Sequence, residues 1–307
     1  MSAVTLLDGG LGQEINNRSE GQAHSLWSVK VMMERPDIVE AVHRDFIKAG
    51  AGVIAINAYT ATPSRLEHNG HLNWFDEAQA LAIDLAQKAR QEEGREQVQI
   101  AGCLPPLVAS YVTEVSKAYD ASLDEFRQIC QRQADGIDVM FCETMAIIAE
   151  AMAAIDAAKE CGKPVYVGFS VSDDGSNTLR SGERLEDAVT AAAERGIDGI
   201  MVNCSIPEAV TEAMPVLARS GLRFGGYANG FTSISALKPG GNVDSLSARS
   251  DLDPAAYGGF VRQWLDAGAT IIGGCCEVGP GHIAYLDHML NEEGFERQPL
   301  RCEGRPV

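Results

Sequence analysis

The sequence predicts an α/β fold, a (β/α)8 or TIM barrel, that occupies residues 1–307 as a single domain. The first observation is a set of eight short apolar runs rich in Val and Ile, at 4–10, 52–60, 98–106, 138–144, 164–170, 199–205, 223–230 and 270–276. They are apolar on both faces, as buried parallel strands are. The second is that helix-like segments separate the runs, an alternation typical of a barrel. A doubly wound open sheet is the alternative.

The helix-like segments carry both an apolar face and a stop signal. Segment 36–50 ends at Gly50 and places apolar residues on one face, namely Ile38, Val42, Phe46 and Ala49. Segments 184–196 and 254–268 have the same form, and each ends at a glycine just before the next strand. Glycine after the last turn is a common helix terminator. His43 has apolar neighbours in the first segment, so we expect it to pack in the core.

Composition excludes several classes of partner. The chain has 307 residues, 45% of them hydrophobic and 22% charged, with a net charge of −18. Such a charge repels nucleic acid and anionic membrane surfaces, and no apolar run approaches the roughly 18 residues of a membrane span. The start "MSAVTLLDGG" lacks the basic residues of a secretory signal. We therefore expect a cytoplasmic protein that acts on small molecules, whereas its oligomeric state is left open.

The polar stretch 230–253 is expected to be either a lid over the strand ends or a variable surface loop.

The eight cysteines are too sparse for a disulfide scaffold, and in the cytoplasm clustered cysteines favour metal binding or catalysis. Cys204 ends the sixth apolar run, and Cys275 and Cys276 end the eighth. Three thiolates with one open position are typical of a catalytic zinc site. Successive strand residues point to opposite faces, so the vicinal pair can share a metal only if the chain leaves strand geometry there. A buried structural pair and a disulfide are the alternatives, and we expect Cys103 and Cys142 to be core residues.

The chain resembles the homocysteine S-methyltransferase family. The motifs that carry the resemblance run along nearly the whole chain: "LLDGGLGQEI" (6–15), "LWSVK" (26–30), "VHRDFIKAGAGVIAINAYTATP" (42–63), "CLPP" (103–106), "CET" (142–144), "GERLEDA" (182–188), "VNCS" (202–205) and "GGCC" (273–276). The resemblance implies that Cys204, Cys275 and Cys276 bind Zn²⁺. It also implies that zinc activates the homocysteine thiol, so that no protein nucleophile is required.

The resemblance and the strand-end positions together predict the substrate pocket. The resemblance implies that Glu143 anchors the substrate amino group and that Asp8 adds a second contact. Backbone N–H groups at the helix start around Gly9 and Gly10 suit the substrate carboxylate. The remaining predicted pocket residues are Asn57, Tyr59 and Asn203, for lining or supporting hydrogen bonds, and Trp27 and Tyr59, for stacking on a cationic methyl donor or for core packing.

The predicted reaction is methyl transfer to homocysteine, with S-methylmethionine as the first candidate donor and betaine as the second. We expect no pterin- or cobalamin-binding module beside the barrel. Selenocysteine-type acceptors remain an alternative, and Glu277 and Val278 depart from the family pattern after the vicinal pair. A cysteine hydrolase that uses His282 as its base and a non-catalytic zinc- or thiol-binding barrel are the alternatives from other classes.

Overall fold

Eight parallel strands form the barrel in the order in which they occur along the chain. The structure is a computed structural model that describes residues 3–19, 24–232 and 246–300. The strands are β1 (Ala3–Leu6), β2 (Val53–Ala55), β3 (Gln99–Leu104), β4 (Val139–Met145), β5 (Val165–Phe169), β6 (Gly199–Asn203), β7 (Arg223–Ala228) and β8 (Ile271–Gly274). All eight predicted strands are therefore present.

The ring closes between β1 and β2. Sheet pairing runs from β2 through β8 to β1, every pair parallel. Leu7 and Val53 form a further parallel bridge, and the Asp8 N–H donates to the Val53 carbonyl at 3.0 Å. The barrel prediction is confirmed, because an open doubly wound sheet reverses its strand order at a switch point and leaves two free edges. A short strand that the sequence did not predict, β9 (Glu296–Arg297), pairs with the start of β1.

Helices follow the strands on the outside of the ring. They are α1 (Leu11–Arg18), α2 (Trp27–Glu34), α3 (Pro36–Lys48), α4 (Pro63–His68), α5 (Phe75–Glu92), α6 (Tyr119–Gln133), α7 (Ile148–Glu160), α8 (Leu185–Glu194), α9 (Pro207–Ala218), α10 (Pro254–Asp266) and α11 (Pro280–Glu292). Gly50 and Gly268 end α3 and α10 with φ of +103° and +97°, a backbone conformation that favours glycine. No helix in the described part of the chain is both long and apolar enough to cross a membrane. Most of the predicted loop 230–253, residues 233–245, lies outside the described residues.

Two cores fill the space around the sheet. Inward-facing side chains fill the barrel, from Val53, Ala101, Val139, Phe141, Tyr166, Met201, Tyr227 and Ile271. A larger cluster packs the outward faces of the strands against the helices, and it includes Val42 and Phe46 of α3 as predicted. Side chains therefore fill both faces of the sheet. The place for a functional site is the carboxyl end of the barrel, where each strand ends and the backbone becomes irregular.

His43 is fully buried on α3, and its two ring nitrogens have no hydrogen-bond partner among the described residues. It is a packing residue, as expected. Burial disfavours the charged ring and lowers the pKa of His43 from 6.5 to about 4. In the unfolded chain His43 is therefore protonated near pH 6.5, whereas in the folded chain it is protonated only near pH 4. The stability contributed by neutral His43 is complete above pH 6.5 and falls as the pH drops towards 4.

We predict that His43→Leu removes this part of the acid sensitivity. The wild type should lose about 2 kcal/mol more than the variant between pH 7 and pH 4.5, by the linkage of pKa to stability. Urea unfolding at the two pH values measures the difference. His288→Leu is the control, because His288 is exposed on α11 and its loss should leave the acid sensitivity unchanged. An acid sensitivity in His43→Leu equal to that of the wild type would contradict the prediction.

Candidate metal centre and substrate pocket

Three cysteine sulfurs meet at the carboxyl ends of β6 and β8. The Sγ atoms of Cys204, Cys275 and Cys276 all lie within 4.8 Å of one another, close enough to hold a metal ion together. The Sγ atoms of Cys204 and Cys275 lie 3.1 Å apart. This separation is well beyond the roughly 2.05 Å of a disulfide bond, and all three are free thiols. The predicted convergence of the sixth and eighth strands is thus present in the structure.

The vicinal pair shares one side because the chain turns directly after β8. Strand geometry ends at Gly274, the Val278 N–H donates to the Cys275 carbonyl at 3.0 Å, and Glu277 has a φ of +66°. The turn packs against the start of α1. A Cβ atom on Gly10 would lie 2.5 Å from the Cys275 carbonyl oxygen, so only glycine allows this approach. The departure from strand geometry that the cysteine pair requires is therefore real.

Gly9 and Gly10 have a clear packing role in this arrangement. A Cβ atom on Gly9 would lie 2.0 Å from the Val278 carbonyl oxygen. The Gly10 N–H already donates to that same carbonyl at 2.9 Å. The Gly10 N–H is therefore not available to a substrate carboxylate at this helix start. Such a carboxylate has to accept from other N–H groups of the turn.

Tyr111 contacts the thiol cluster, a contact that the sequence analysis missed. Its hydroxyl lies 2.7 Å from the Cys204 Sγ, and the Arg180 guanidinium lies 5.1 Å from the centre of its ring. Hydrogen bonds from the Cys275 and Cys276 thiols, and then from Tyr111, hold the pKa of Cys204 well below its usual range. Contacts with Cys204, together with burial, raise the pKa values of Cys275 and Cys276. Tyr111 lies in a long loop after β3, where no periodic pattern could place it.

Glu143 points into the pocket because β4 is irregular beside it. The β4–β5 register shifts between Cys142 and Met145, and Thr144 adopts a φ of +60°. Asn203 stabilises this conformation: its Oδ1 accepts from the Thr144 N–H and its Nδ2 donates to the Thr144 hydroxyl, both at 2.9 Å. Asn203 is fully buried and uses its amide entirely on Thr144, so it supports Glu143 rather than lining the pocket.

Left-handed backbone is concentrated around this site. Five non-glycine residues in or beside the pocket have positive φ: Trp27 (48°), Tyr111 (59°), Thr144 (60°), Cys204 (50°) and Glu277 (66°). Each such residue costs on the order of 1–3 kcal/mol and persists only where the surroundings enforce it. Strain at this end of the barrel is a general mark of a functional site, and it coincides here with the cysteine cluster.

Two carboxyl groups share the pocket, and neither has an ion-pair partner among the described residues. Burial raises the pKa of Asp8 to about 8, with a smaller contribution from the nearby Glu143. Burial also raises the pKa of Glu143 to about 7, although a hydrogen bond from the Cys103 thiol, at 2.9 Å, opposes the shift. Neither carboxylate forms an ion pair with any described Lys, Arg or His within 4.0 Å. The pair is suited to receive a positively charged group. Cys103 is buried as expected, and it also touches the pocket acid.

All of the predicted site residues except Asn203 line one pocket, with a cavity volume of about 170 Å³. Asn57 lines it but pairs with Ser28, accepting from its hydroxyl at 2.7 Å and donating to its carbonyl at 3.0 Å. The Tyr59 hydroxyl lies 2.9 Å from that of Ser110. The Trp27 Nε1 atom is buried and has no partner among the described residues.

Tyr227 and Arg65 also line the pocket, and the sequence analysis missed both. The Tyr227 hydroxyl is buried with no hydrogen-bond partner in the described part of the chain. The alternation of inward and outward side chains along β7 was the signal that could have found Tyr227. Nothing in the sequence around Arg65, on α4, distinguishes it from a surface arginine.

Comparison with known sequences identifies the family. A family model described as "Homocysteine S-methyltransferase" matches residues 5–290. The chain belongs to the homocysteine S-methyltransferase family. It is 29% identical to a homocysteine S-methyltransferase of Escherichia coli strain K12, over 92% of this chain and 94% of that protein. It is 25% identical to a selenocysteine Se-methyltransferase of Brassica oleracea var. italica, over 93% of this chain and 88% of that one.

Solved structures of the family agree with the fold. The homocysteine methyltransferase MmuM from Escherichia coli, in its metallated form, matches with a TM-score of 0.78 and 26% identity. The match covers 94% of this chain and 96% of the MmuM chain. The barrel therefore matches this family member along nearly its whole length.

We predict that Asn203→Ala destabilises the protein by about 2 kcal/mol, because it leaves the buried Thr144 N–H without a partner and a strained residue without support. Urea unfolding measures the loss. Asn291→Ala is the matched control: Asn291 makes only exposed hydrogen bonds on α11, and its loss should cost about 0.5 kcal/mol or less. Equal costs for the two variants would show that Asn203 does not enforce the bend at Thr144.

Proposed function

We propose that this protein transfers a methyl group to the thiol of homocysteine and forms methionine. The observation that carries the proposal is that a cluster of three cysteine sulfurs and two buried carboxyl groups line one pocket. Homocysteine has a thiol at one end and an ammonium group at the other, so the pocket offers a complement to each. The names of the relatives in Escherichia coli and Brassica support the same chemistry and keep a selenol acceptor as the second candidate.

Zinc is the metal that we propose for Cys204, Cys275 and Cys276. The cluster offers three soft sulfur ligands and no carboxylate oxygen, a set that favours zinc over magnesium or calcium. Tetrahedral zinc with Zn–S bonds of about 2.3 Å needs sulfurs about 3.8 Å apart, so the three sulfurs, within 4.8 Å of one another, fit it once the Cys204–Cys275 pair, at 3.1 Å, separates by roughly 0.7 Å. Zinc supplies a Lewis acid that lowers the pKa of a thiol at its open position. A cytoplasmic location, where thiols stay reduced, belongs to the same proposal.

The acids Asp8 and Glu143 are proposed to hold the homocysteine ammonium group. Each has a raised pKa because it is desolvated by burial, and neither has a cation within 4.0 Å among the described residues. An ammonium group placed there restores the missing charge and favours both carboxylates. The unpartnered Tyr227 hydroxyl lies in the same pocket and is suited to a further substrate contact. The N–H groups of Gly9 and Gly12 remain the proposed contacts for the carboxylate, because those of Gly10 and Leu11 already donate to backbone carbonyls.

The methyl donor is proposed to be a cation held among aromatic rings, with S-methylmethionine first and betaine second. Trp27 and Tyr59 line the pocket, and the Tyr111 hydroxyl contacts Cys204. Aromatic faces attract sulfonium and quaternary ammonium groups through the ring quadrupole. No nucleophile of the protein is required, because the substrate thiolate attacks the methyl group itself.

A cysteine hydrolase is not favoured by the geometry. Its proposed base, His282, lies on α11 with Nε2 at 3.1 Å from the Leu252 carbonyl, and it is not among the described residues that line the pocket. A nucleophilic cysteine needs a base within hydrogen-bond reach. A non-catalytic barrel that only binds homocysteine has the same pocket, and a methyl-transfer assay with a panel of donors separates it from the enzyme.

We predict about one zinc per chain in protein purified under reducing conditions, as a single three-cysteine site requires. Cys204→Ser should lose most of this zinc, because it removes one of three ligands. Elemental analysis measures the content. Cys161→Ser is the control, since Cys161 is a half-buried thiol at the end of α7 and far along the chain from the cluster. Full zinc content in Cys204→Ser would remove Cys204 from the site.

We predict that Glu143→Gln weakens homocysteine binding about 10- to 150-fold, the value of a hydrogen bond to a charged group, while zinc stays bound. Calorimetric titration measures the affinity. Glu277→Gln is the matched control, because Glu277 follows Cys276 directly but does not line the pocket in the described structure. Homocysteine affinity unchanged in Glu143→Gln would make Glu143 a structural residue.

A further inference from the structure

Arg65 lies in the pocket wall with part of its guanidinium group unused. Its Nε and Nη2 atoms donate to the Pro106 carbonyl at 3.2 and 2.7 Å, and Nη2 also lies 3.5 Å from the Ser110 hydroxyl. The guanidinium carbon lies 5.4 Å from the centre of the Tyr59 ring. Nη1 makes no hydrogen bond to any described residue, and no carboxylate in those ranges lies within 4.0 Å of the group. Two N–H donors are thus free to meet a ligand.

An arginine in this position is unusual in the described chain. Apart from Arg65, only Arg95 and Arg223 among the described arginines lack a carboxylate within 4.0 Å. Arg95 is exposed to water. Arg223 begins β7 at the other end of the barrel, where it donates to the Thr5 hydroxyl and to the carbonyls of Thr270 and Pro299. Arg65 is half-buried in a largely apolar pocket, and its charge is offset only by carboxylates beyond 4.0 Å, such as Glu150, so its burial is costly. The pocket thus holds a positive charge that an anionic group would stabilise.

The charge lies on the wall opposite the thiols. Arg65 follows β2 and is bonded to the loop after β3, whereas the three cysteines follow β6 and β8. The ring order runs β1 to β8 without a swap, so β3 faces β7, which lies between the two cysteine-bearing strands. By strand order, the cysteines follow β6 and β8, Arg65 follows β2, and the acids Asp8 and Glu143 come from β1 and β4 in the intervals between them. Tyr111, of the loop after β3, reaches Cys204.

The geometry of methyl transfer determines how the donor is oriented relative to the acceptor sulfur. The homocysteine thiol gives its proton to solvent, and a sulfur lone pair then attacks the methyl carbon. A new sulfur–carbon bond forms while the bond from that carbon to the donor sulfur or nitrogen breaks, and its electron pair stays on the donor atom and neutralises its charge. Attack occurs from the side opposite the leaving group. The donor and its carbon chain therefore extend away from the attacking sulfur, and in the proposed pose they reach the part of the pocket lined by Tyr59 and Arg65.

We infer that Arg65 binds a carboxylate of the methyl donor, so that this protein selects donors that carry a carboxylate besides their sulfonium or ammonium methyl group. The inference rests on the proposed function. The Ser110 hydroxyl, beside both Arg65 and Tyr59, can add a neutral donor to the same carboxylate. The homocysteine carboxylate is the other anionic group present during the reaction, but its position next to the ammonium group places it near Asp8 and Glu143.

The test compares each donor with its carboxamide, which keeps the methyl group and removes the negative charge. S-methylmethionine and betaine are assayed with homocysteine and the zinc-loaded protein, each beside its amide. The wild type should prefer the carboxylates, and Arg65→Met should raise the KM for them about 10- to 150-fold, the value of hydrogen bonds between charged groups. The KM for the amides should stay unchanged. A wild type without preference, or a variant that keeps it, overturns the inference.

Controls separate recognition from folding. Arg95→Met removes an arginine that also lacks an ion pair, and it should leave the preference intact. Arg65→Lys keeps a charge and should restore part of it. If Arg65 only held the Pro106 loop, its loss would affect carboxylates and amides alike, which contradicts a carboxylate contact. A loss of homocysteine affinity in Arg65→Met, with donor preference intact, would assign Arg65 to homocysteine and overturn the donor assignment.

Calorimetric binding of the same four compounds without homocysteine distinguishes this inference from the proposed function. If no donor yields methionine, but the wild type binds a carboxylate more tightly than its amide and Arg65→Met does not, the role of Arg65 stands and the proposed function fails. If methionine forms without any preference, the proposed function stands and the role of Arg65 is wrong. If the wild type binds none of the four compounds, the role of Arg65 is wrong as well.

Discussion

The site depends on one geometric constraint: the carboxyl ends of β6 and β8 must lie close to each other. A closed ring of eight parallel strands places all carboxyl ends on one face, and only β7 separates the two strands that carry the cysteines. Gly9 and Gly10 allow the turn after β8 to pack against the start of α1 with no side chain between them. The three sulfurs meet because the backbone is permitted to come this close. A Cβ atom at either glycine would displace the turn and separate the ligands.

The residues around the thiols divide into those that face the pocket and those that hold them there. Asn203 uses its whole amide on Thr144, and Asn57 pairs with Ser28. Both are buried polar groups whose hydrogen bonds are satisfied, so they add rigidity at no desolvation cost. Other residues that line the pocket have groups that the described residues leave unmatched. The Tyr227 hydroxyl, the Trp27 Nε1 and the Arg65 Nη1 have no hydrogen-bond partner, and the acids Asp8 and Glu143 have no cation within 4.0 Å.

The sequence predicted the barrel and most of the pocket because both depend on local patterns. Apolar runs between helices determine the strand count, and residues just after a run must lie at the carboxyl end of the barrel. Glu143 follows this rule. Its side chain points into the pocket because Thr144 has a left-handed backbone conformation, which no local sequence pattern predicts. Asn203 was predicted to lie near the pocket because it comes just before Cys204 at the end of a strand. In the structure its side-chain amide bonds to Thr144 instead of lining the pocket. Tyr111 and Arg65 lie on a loop and a short helix, and their contacts arise from tertiary packing alone.

The central claim is that the homocysteine thiol loses its proton when it binds at the three cysteines, before any donor arrives. Calorimetry in two buffers of different ionisation enthalpy counts the protons released on binding to the zinc-loaded protein. Asp8 and Glu143 have pKa values of about 8 and 7, so an ammonium ligand releases protons from them as well. Homoserine, with a hydroxyl in place of the thiol, measures that background. The account predicts that homocysteine releases about one proton more than homoserine near neutral pH. Equal proton counts for the two ligands would contradict it.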